Sequence, residues 1–334
     1  MSYYLFALID GGGTVPPELG AARRLVARGH RVQVLAEDSM RDEVVGTGAV
    51  FLPWVRGVNR PDRAPEHDVL RDWECRTPLQ LFKRMLDTVL AGPAPGYAAD
   101  LLVAVDGQRP DMVVCSFFSV GAMVAAEAAG LLLTSPAFDF PAEMPDNVCY
   151  VGPVLDDPQW AVADTGVPPP GDGPVVLVAM STTPQDQVDC LQRVVDALSA
   201  LPVRGIVTAG PAVDPKALRP SRNVAIVESA PHSEVLKCTD VVVTHGGHGT
   251  VIRSLAARVP LVVMPQGRDQ ADNAARVESR GAGVTIESNA SPATIGAAVR
   301  RVLEDPSYRE AAKRLGDSIR ADAASDMLVR ELER

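Results

Sequence analysis

Thr244-His245-Gly246-Gly247-His248-Gly249-Thr250 is where the residue types and spacing of this 334-residue chain point most directly to chemistry. The stretch follows the apolar run Val241–Val243 and opens a helical pattern whose apolar face is Val251, Ile252, Leu255 and Ala256. Glycines at a strand-to-helix turn let a ligand approach the backbone, because no Cβ stands in the way. The free N–H groups of the first helical turn and the positive end of the helix dipole then form an anion site, worth up to ~2 kcal/mol in favourable geometry. Thr250 adds a hydroxyl and His245 an imidazole N–H. A bare glycine pair would read as a tight turn and no more. Two histidines, a threonine and the strand-helix setting favour a diphosphate site. No Gly-Lys-Ser/Thr follows, so the stretch is not a P-loop, nor is it G-x-G-x-x-G.

Such a local device is what this chain needs. It carries 32 Lys+Arg against 42 Asp+Glu, a net charge of -10, so no global field attracts a nucleic-acid backbone or an anionic membrane. With 46% hydrophobic and 22% charged residues the chain is globular rather than disordered. The apolar runs, such as Val175–Met180, fall short of the ~20 residues of a spanning helix, so no membrane span is expected. Tyr3–Ile9 runs straight into Asp10 and reads as a buried strand, not a signal peptide. The five cysteines are scattered without C-x-x-C spacing, which fits reduced thiols in a cytoplasmic protein.

The elements that position the motif form two α/β series. Tyr3–Ile9, Arg31–Ala36, Ala49–Leu52 and Asp111–Cys115 read as strands; helical patterns follow Pro16-Pro17 and cover Pro78–Leu90, Tyr97–Gln108 and Val120–Ala129. Pro158–Pro174 holds five prolines and reads as a linker over 158–174. Beyond it, Val175–Met180, Val203–Thr208, Val224–Val227, Val241–Thr244, Leu261–Met264 and Val284–Ile286 are short apolar runs of parallel-sheet type. The expected division is 1–157, linker 158–174, and 175–334, with the last helix returning to the first domain.

His245–Thr250, continued by Leu261-Val262-Val263-Met264-Pro265-Gln266-Gly267-Arg268-Asp269-Gln270 and Asn273-Ala274, resembles the donor-binding signature of family 1 nucleotide-sugar glycosyltransferases of GT-B fold. The similarity is greatest to the bacterial branch that decorates macrolides, polyketides and other natural products, and it spans Val175 to the C-terminal helices. The resemblance implies an α/β GT-B fold: two Rossmann-like, doubly wound domains facing each other across a cleft. It also implies roles. His245, Gly247, Gly249 and Thr250, with Ser181 and Thr182 opposite, would hold the donor diphosphate. Pro231 and His232 would lie against the nucleotide base, although His232 could instead cap its helix. Asp269 and Gln270 would bind sugar hydroxyls, with Arg268 orienting their loop, although the pair could also be a helix cap. The expected partners are a dTDP- or UDP-sugar, as substrate rather than cofactor, and a small, largely hydrophobic aglycone, with a homodimer as a possible assembly.

The implied reaction is inverting transfer. No Asp-x-Asp occurs in the chain, so no metal is expected. The family's usual His after the first strand is missing; Asp10-Gly11-Gly12-Gly13 stands there. Asp10, at the carboxyl end of that strand, is the first candidate base, with His67 and Asp68 as alternatives and an Asx turn as the structural reading of Asp10. A carboxylate with an ordinary pKa near ~3.9 is a weak base for an alcohol.

Two further departures stand out. Arg258 occupies a helix C′ position where glycine is usual, at a cost of order ~1 kcal/mol if left-handed. Gly130 runs directly into Leu131, where the family has another strand and several dozen residues of acceptor loop. A true deletion would remove a core strand, so the favoured expectation is a segment missing between these residues. Two rivals to the transferase remain: an inactive glycosyltransferase-like activator, and an NAD(P)-dependent Rossmann enzyme using Asp10–Pro16 with Glu37 or Asp38 on the ribose.

Overall fold

The computed structural model describes residues 1–126, 130–144, 146, 148–158, 160–161, 168–180, 182–183 and 185–334. Its elements fall into two compact units. The first is built from β1 (Tyr3–Ala7), α1 (Val15–Ala27), β2 (Arg31–Ala36), α2 (Arg41–Val45), β3 (Val50–Pro53), α3 (Pro78–Met85), α4 (Ala94–Gly107), β4 (Met112–Cys115) and α5 (Val120–Ala125). Its parallel sheet runs β3-β2-β1-β4. Every residue of β1 is buried, as its unbroken apolar run requires in a central parallel strand. Pro16 and Pro17 occupy the first turn of α1, where their missing N–H groups cost nothing.

Outside this sheet, β5 (Gly130–Leu132) and β6 (Val148–Tyr150) form a two-stranded sheet of their own. The predicted helix over 120–129 is shorter than expected: it ends at Ala125, and Ala126 is already extended. Among the described residues one helical run, Leu79–Gly107, is long and apolar enough to cross a membrane by length and composition, although no unbroken apolar run in it reaches that length. It is interrupted by a π turn at Leu86–Leu90, and its Asp100 carboxylate accepts the N–H groups of Val55, Arg56 and Gly57 at 2.9, 2.7 and 3.0 Å. Tyr97 and Leu101 of the same run lie in the first unit's core beside Trp54.

The second unit contains β7 (Val175–Ala179), α6 (Val188–Ser199), β8 (Arg204–Thr208), β9 (Val224–Val227), α7 (His232–Val235), β10 (Val241–Thr244), α8 (His248–Ala256), β11 (Leu261–Val263), α9 (Gln270–Ser279), β12 (Gly283–Thr285), α10 (Pro292–Glu304) and α11 (Pro306–Ala323). The sheet is parallel, in the order β12-β11-β10-β7-β8-β9. Alternate residues face opposite cores: Val176, Val178, Val241 and Val243 join α6 and α10, whereas Val175, Leu177, Ala179 and Val242 join α8 and α11. Arg258, after α8, does take a left-handed conformation with φ 65°.

The division of the chain differs from 1–157 and 175–334. Residues 133–143 and 150–157 belong to the second unit, because Phe138 fills its core and Asp139 pairs with Arg276 at 2.8 Å. The final helix α12 (Met327–Leu332) belongs to the first unit, where Asp326 and Glu333 pair with Arg28 and His30 at 2.5 and 3.1 Å. Of the predicted linker, residues 159 and 162–167 lie outside the described residues.

Candidate active site

In the second unit, β7 stands between β10 and β8, so the chain leaves β7 toward one edge and later returns to β10 on the other side. Open α/β sheets bind ligands at such a switch point, outside the carboxyl ends of the strands. Thr244 and Ala179 are paired in register at those ends, so the turn after β10 and the loop after β7 flank the switch point. The two segments marked by sequence for the diphosphate are these. Thr182 and Thr183 are described; Ser181 lies outside the described residues.

Gly246 adopts φ 95°, and a Cβ there would stand 2.8 Å from Val263 Cγ1 and 3.0 Å from the Gln270 carbonyl. Only glycine fits both the conformation and the space. Gly247 is the N-cap of α8 and has no side chain to take up the cap bonds; Gly249 and Thr250 lie in the first turn, whose N–H groups lack an intrahelical acceptor. His245 is buried, and its Nδ1 lies 3.3 Å from Thr244 Oγ1. Burial drives its imidazole down to about 4; a bond to the Ala179 backbone opposes this and the charge of Arg268 adds to it. At neutral pH His245 is therefore an uncharged N–H donor, and the charge of an anion must be met by the helix terminus and Arg268. His248 turns aside to Thr134 Oγ1 at 2.9 Å and is likewise pushed down by burial, against the Asp269 carboxylate.

Arg268 has a left-handed backbone, φ 57°, and its guanidinium donates to Thr183 Oγ1, which ties the loop before α9 to the loop after β7. Asp269 is exposed at the start of α9, makes no cap bond with its side chain, and accepts Asn273 Nδ2 at 2.8 Å. Gln270 differs from the expectation of a sugar-binding side chain. It is 2% exposed; Oε1 accepts Gln266 N and Gly267 N at 2.7 and 3.2 Å, and Nε2 donates to Gln185 at 2.9 Å. With both acceptor positions and one donor used, Gln270 builds the loop that presents Asp269.

Pro231 and His232 open α7, but His232 does not cap it. Asp157 does, accepting His232 N and Ser233 N, both at 3.1 Å. Burial, with the nearby Arg253 charge and against the Asp157 carboxylate, takes the His232 imidazole down to about 4.

The first unit overturns the expected base. The Asp10 carboxylate is buried and already occupied: Oδ2 accepts Ser39 Oγ at 2.8 Å and Arg63 Nε at 2.7 Å, and Oδ1 accepts Gly12 N at 3.2 Å. Burial alone would raise its pKa, but Arg63, Arg60 and Ser39 outweigh burial and hold it below the usual range. The Asx-turn reading describes it better. The alternatives fare no better: His67 Nδ1 binds Asp62 at 2.6 Å on an exposed turn, and Asp68 caps the N–H groups of Leu70 and Arg71. The ribose role of the dinucleotide alternative also fails, because Glu37 is fully buried against Arg60 and the Asp10 N–H, while Asp38 is bound to Arg41 and Asn59.

Sequence reasoning gave no role to Asn273, Gln185 or Asp157. Asn273 lies inside the donor-type motif; Gln185 and Asp157 sit in loops without periodicity and carry no local signal. Among the described residues, no group of three or more His, Cys, Asp or Glu side chains is placed to hold a metal ion.

Residues 192–334 match the family model of the erythromycin biosynthesis protein CIII-like C-terminal domain. The chain is 36% identical over 210 residues to 4'-demethylrebeccamycin synthase of Lentzea aerocolonigenes, covering 60% of this chain and 47% of that protein. It is 25% identical over 393 residues to demethyllactenocin mycarosyltransferase of Streptomyces fradiae, covering 96% and 83%. This chain is a relative of the natural-product glycosyltransferases. Its fold is theirs: the spinosyn rhamnosyltransferase SpnG complexed with thymidine diphosphate superposes with a TM-score of 0.71 at 20% identity, covering 100% of both chains. The two parallel sheets, each in its own unit, are those of a GT-B α/β fold. The chain spans about half the length or less of the first curated relatives it matches.

Proposed function

We propose that this chain is an inverting, metal-independent glycosyltransferase that moves a sugar from a dTDP- or UDP-sugar to a small, largely hydrophobic natural-product acceptor. The observation that carries this reading is the switch point of the second sheet, where the Gly247-capped start of α8 and the Thr182-Thr183 loop flank paired strand ends. In this reaction an acceptor oxygen bonds to the anomeric carbon while the bond from that carbon to the diphosphate breaks. The electron pair leaves on the diphosphate oxygen. The first-turn N–H groups of α8 and the neutral His245 are suited to that growing charge, because preorganised donors act where charge develops. Exposed Asp269 supports a role on the sugar, and the thymidine diphosphate bound by the spinosyn rhamnosyltransferase supports a dTDP-linked donor. Phe117 and Phe118, ring centroids 5.7 Å apart just beyond β4, support an apolar acceptor.

Incubation with a panel of dTDP- and UDP-sugars, read by nucleotide release and sugar transfer, tests the reading. A transferase consumes donor. An inactive activator binds dTDP without consuming it, and donor untouched across the panel overturns the proposal.

We propose also that the native chain carries a further segment between Gly130 and Leu131. The first sheet ends on β4, whose residues are only half-buried, and Phe117, Val124, Leu102 and Val103 of the first unit are exposed. The mycarosyltransferase alignment extends over 393 residues against a chain of 334. An intact mass of the natural protein at 35.4 kDa would exclude the segment.

A further inference from the structure

A departing nucleoside diphosphate carries more than one negative charge, and the groups described so far meet little of it. The start of α8 is worth about half a positive charge. His245 is uncharged at neutral pH. In a metal-independent reaction the remainder falls to a cationic side chain, and two loops of the second unit single one out. Buried Gln270 holds the N–H groups of Gln266 and Gly267 on its Oε1, and the next residue, Arg268, is left-handed with φ 57°. Asp186, in the loop after β7, is left-handed as well, with φ 51°. Such backbone is unfavourable for these residue types and persists where the surroundings impose it, which is common at functional sites. The Arg268 guanidinium donates to Thr183 in the loop after β7, and Gln270 Nε2 donates to Gln185 there at 2.9 Å. On its other side the same loop rests on the glycine turn: a Cβ on Gly246 would stand 3.0 Å from the Gln270 carbonyl. Arg268 is thus held at the two segments that flank the switch point, and it is exposed, so a ligand can reach it. Arg253 of α8 and Arg276 of α9 are turned elsewhere, to the Asp156 carbonyl and the Asp139 carboxylate, both at 2.8 Å.

We propose that Arg268 is the cation that binds the donor diphosphate and meets its charge as it leaves, a role beyond orienting the loop that presents Asp269. This assignment rests on the transferase reading above. The acceptor oxygen bonds to the anomeric carbon, its proton passing to water. The bond from that carbon to the diphosphate oxygen breaks, and the electron pair stays on the oxygen. Arg268 keeps its proton throughout. A guanidinium is always charged and its planar fork suits two phosphate oxygens at once. Because negative charge on the departing oxygen grows toward the transition state, the contact strengthens there and raises kcat as well as affinity. Its charge also acts on His245, which fits a guanidinium facing the glycine turn.

The test compares Arg268→Gln and Arg268→Lys with wild type. Glutamine can still donate a hydrogen bond to a threonine hydroxyl, so this variant removes the charge and spares the tie between the loops. Calorimetry measures binding of dTDP and of thymidine, which lacks the diphosphate. Nucleotide release from dTDP-glucose and UDP-glucose, with 4-nitrophenol as acceptor, measures turnover. For Arg268→Gln the expected result is dTDP binding weakened about 10- to 100-fold, thymidine binding unchanged, and kcat reduced about 100-fold. Arg268→Lys, a point charge without the fork, should restore part of both losses. A residue that only shapes the loop would weaken dTDP and thymidine alike. Equal loss of the two ligands, unchanged dTDP affinity or unchanged kcat overturns the Arg268 assignment and leaves the transferase reading intact. Wild type that neither binds dTDP nor consumes any donor overturns both.

Discussion

Asn273 Nδ2 donates to the Gly246 carbonyl at 2.9 Å, and the same amide reaches Asp269 Oδ2 at 2.8 Å. One buried amide thus locks the start of α9 to the glycine turn that opens α8. Asn273→Ala removes both bonds and leaves a buried carbonyl unpaired. We expect a loss of about 1–3 kcal/mol in stability and roughly tenfold weaker dTDP binding. Urea unfolding and titration calorimetry measure the two. Unchanged dTDP affinity would mean that the helices do not form one site.

The two glycines of the turn should behave differently. Gly246→Ala forces a Cβ into a left-handed residue against Val263 and the Gln270 carbonyl, and should cost about 1–3 kcal/mol, visible as a lower Tm. Gly247→Ala puts a Cβ 2.6 Å from His245 Nε2, displacing the ring. Its effect should fall on dTDP affinity, with Tm nearly unchanged.

Acid should unfold the second unit early. His232 and His245 are held neutral, with folded pKa values of about 4 against 6.5 for the ordinary imidazole. Because the folded values are depressed, the stability is complete above pH 6.5 and is lost as pH falls from there toward 4. Each contributes on the order of 3 kcal/mol to that slope. Urea titrations of His245→Asn at pH 7.5 and 5 should show a smaller difference than wild type.

Glu18 predicts the opposite slope. Its folded pKa of about 8 lies above the ordinary 4.5, so the contribution of Glu18 is complete below pH 4.5 and is lost as pH rises through 8. Glu18→Gln should therefore stabilise the fold, more at pH 8 than at pH 5, by on the order of a few kcal/mol, measured by urea unfolding at the two pH values.

Asp10→Asn should do the reverse. The Asp10 carboxylate is held ionised by Arg63, so its contribution is present above the ordinary carboxylate pKa and lost as pH falls through the depressed one. The amide should cost about 1–3 kcal/mol at pH 7 and leave turnover per folded molecule largely intact. A selective loss of turnover would return Asp10 to the chemistry.

The strand ends and the donor motif were legible because their signals are local. Val241–Thr244, Val224–Val227 and Arg31–Ala36 are apolar runs whose bounds coincide with the strands, and a glycine-rich turn between strand and helix has one backbone solution. Side-chain partnerships are different, since they depend on which loops a sheet order brings together. Gln270 stands beside Asp269 in the chain, yet it faces inward to Gln185 and two backbone N–H groups. Asp157 looks like linker and caps α7. Asp10 stands where a base would be expected, and the distant Arg63 and Ser39 consume its carboxylate.

By itself, the order of residues determined two α/β series, a phosphate-type turn at His245–Thr250 and an acidic chain that must bind anions locally, because strand periodicity, glycine conformation and charge are properties of neighbours in sequence. Only the tertiary structure decided which carboxylates are free to react. That depends on burial and on partners tens of residues away: Arg63 and Ser39 take up the Asp10 carboxylate, while burial raises the pKa of the Glu18 carboxyl.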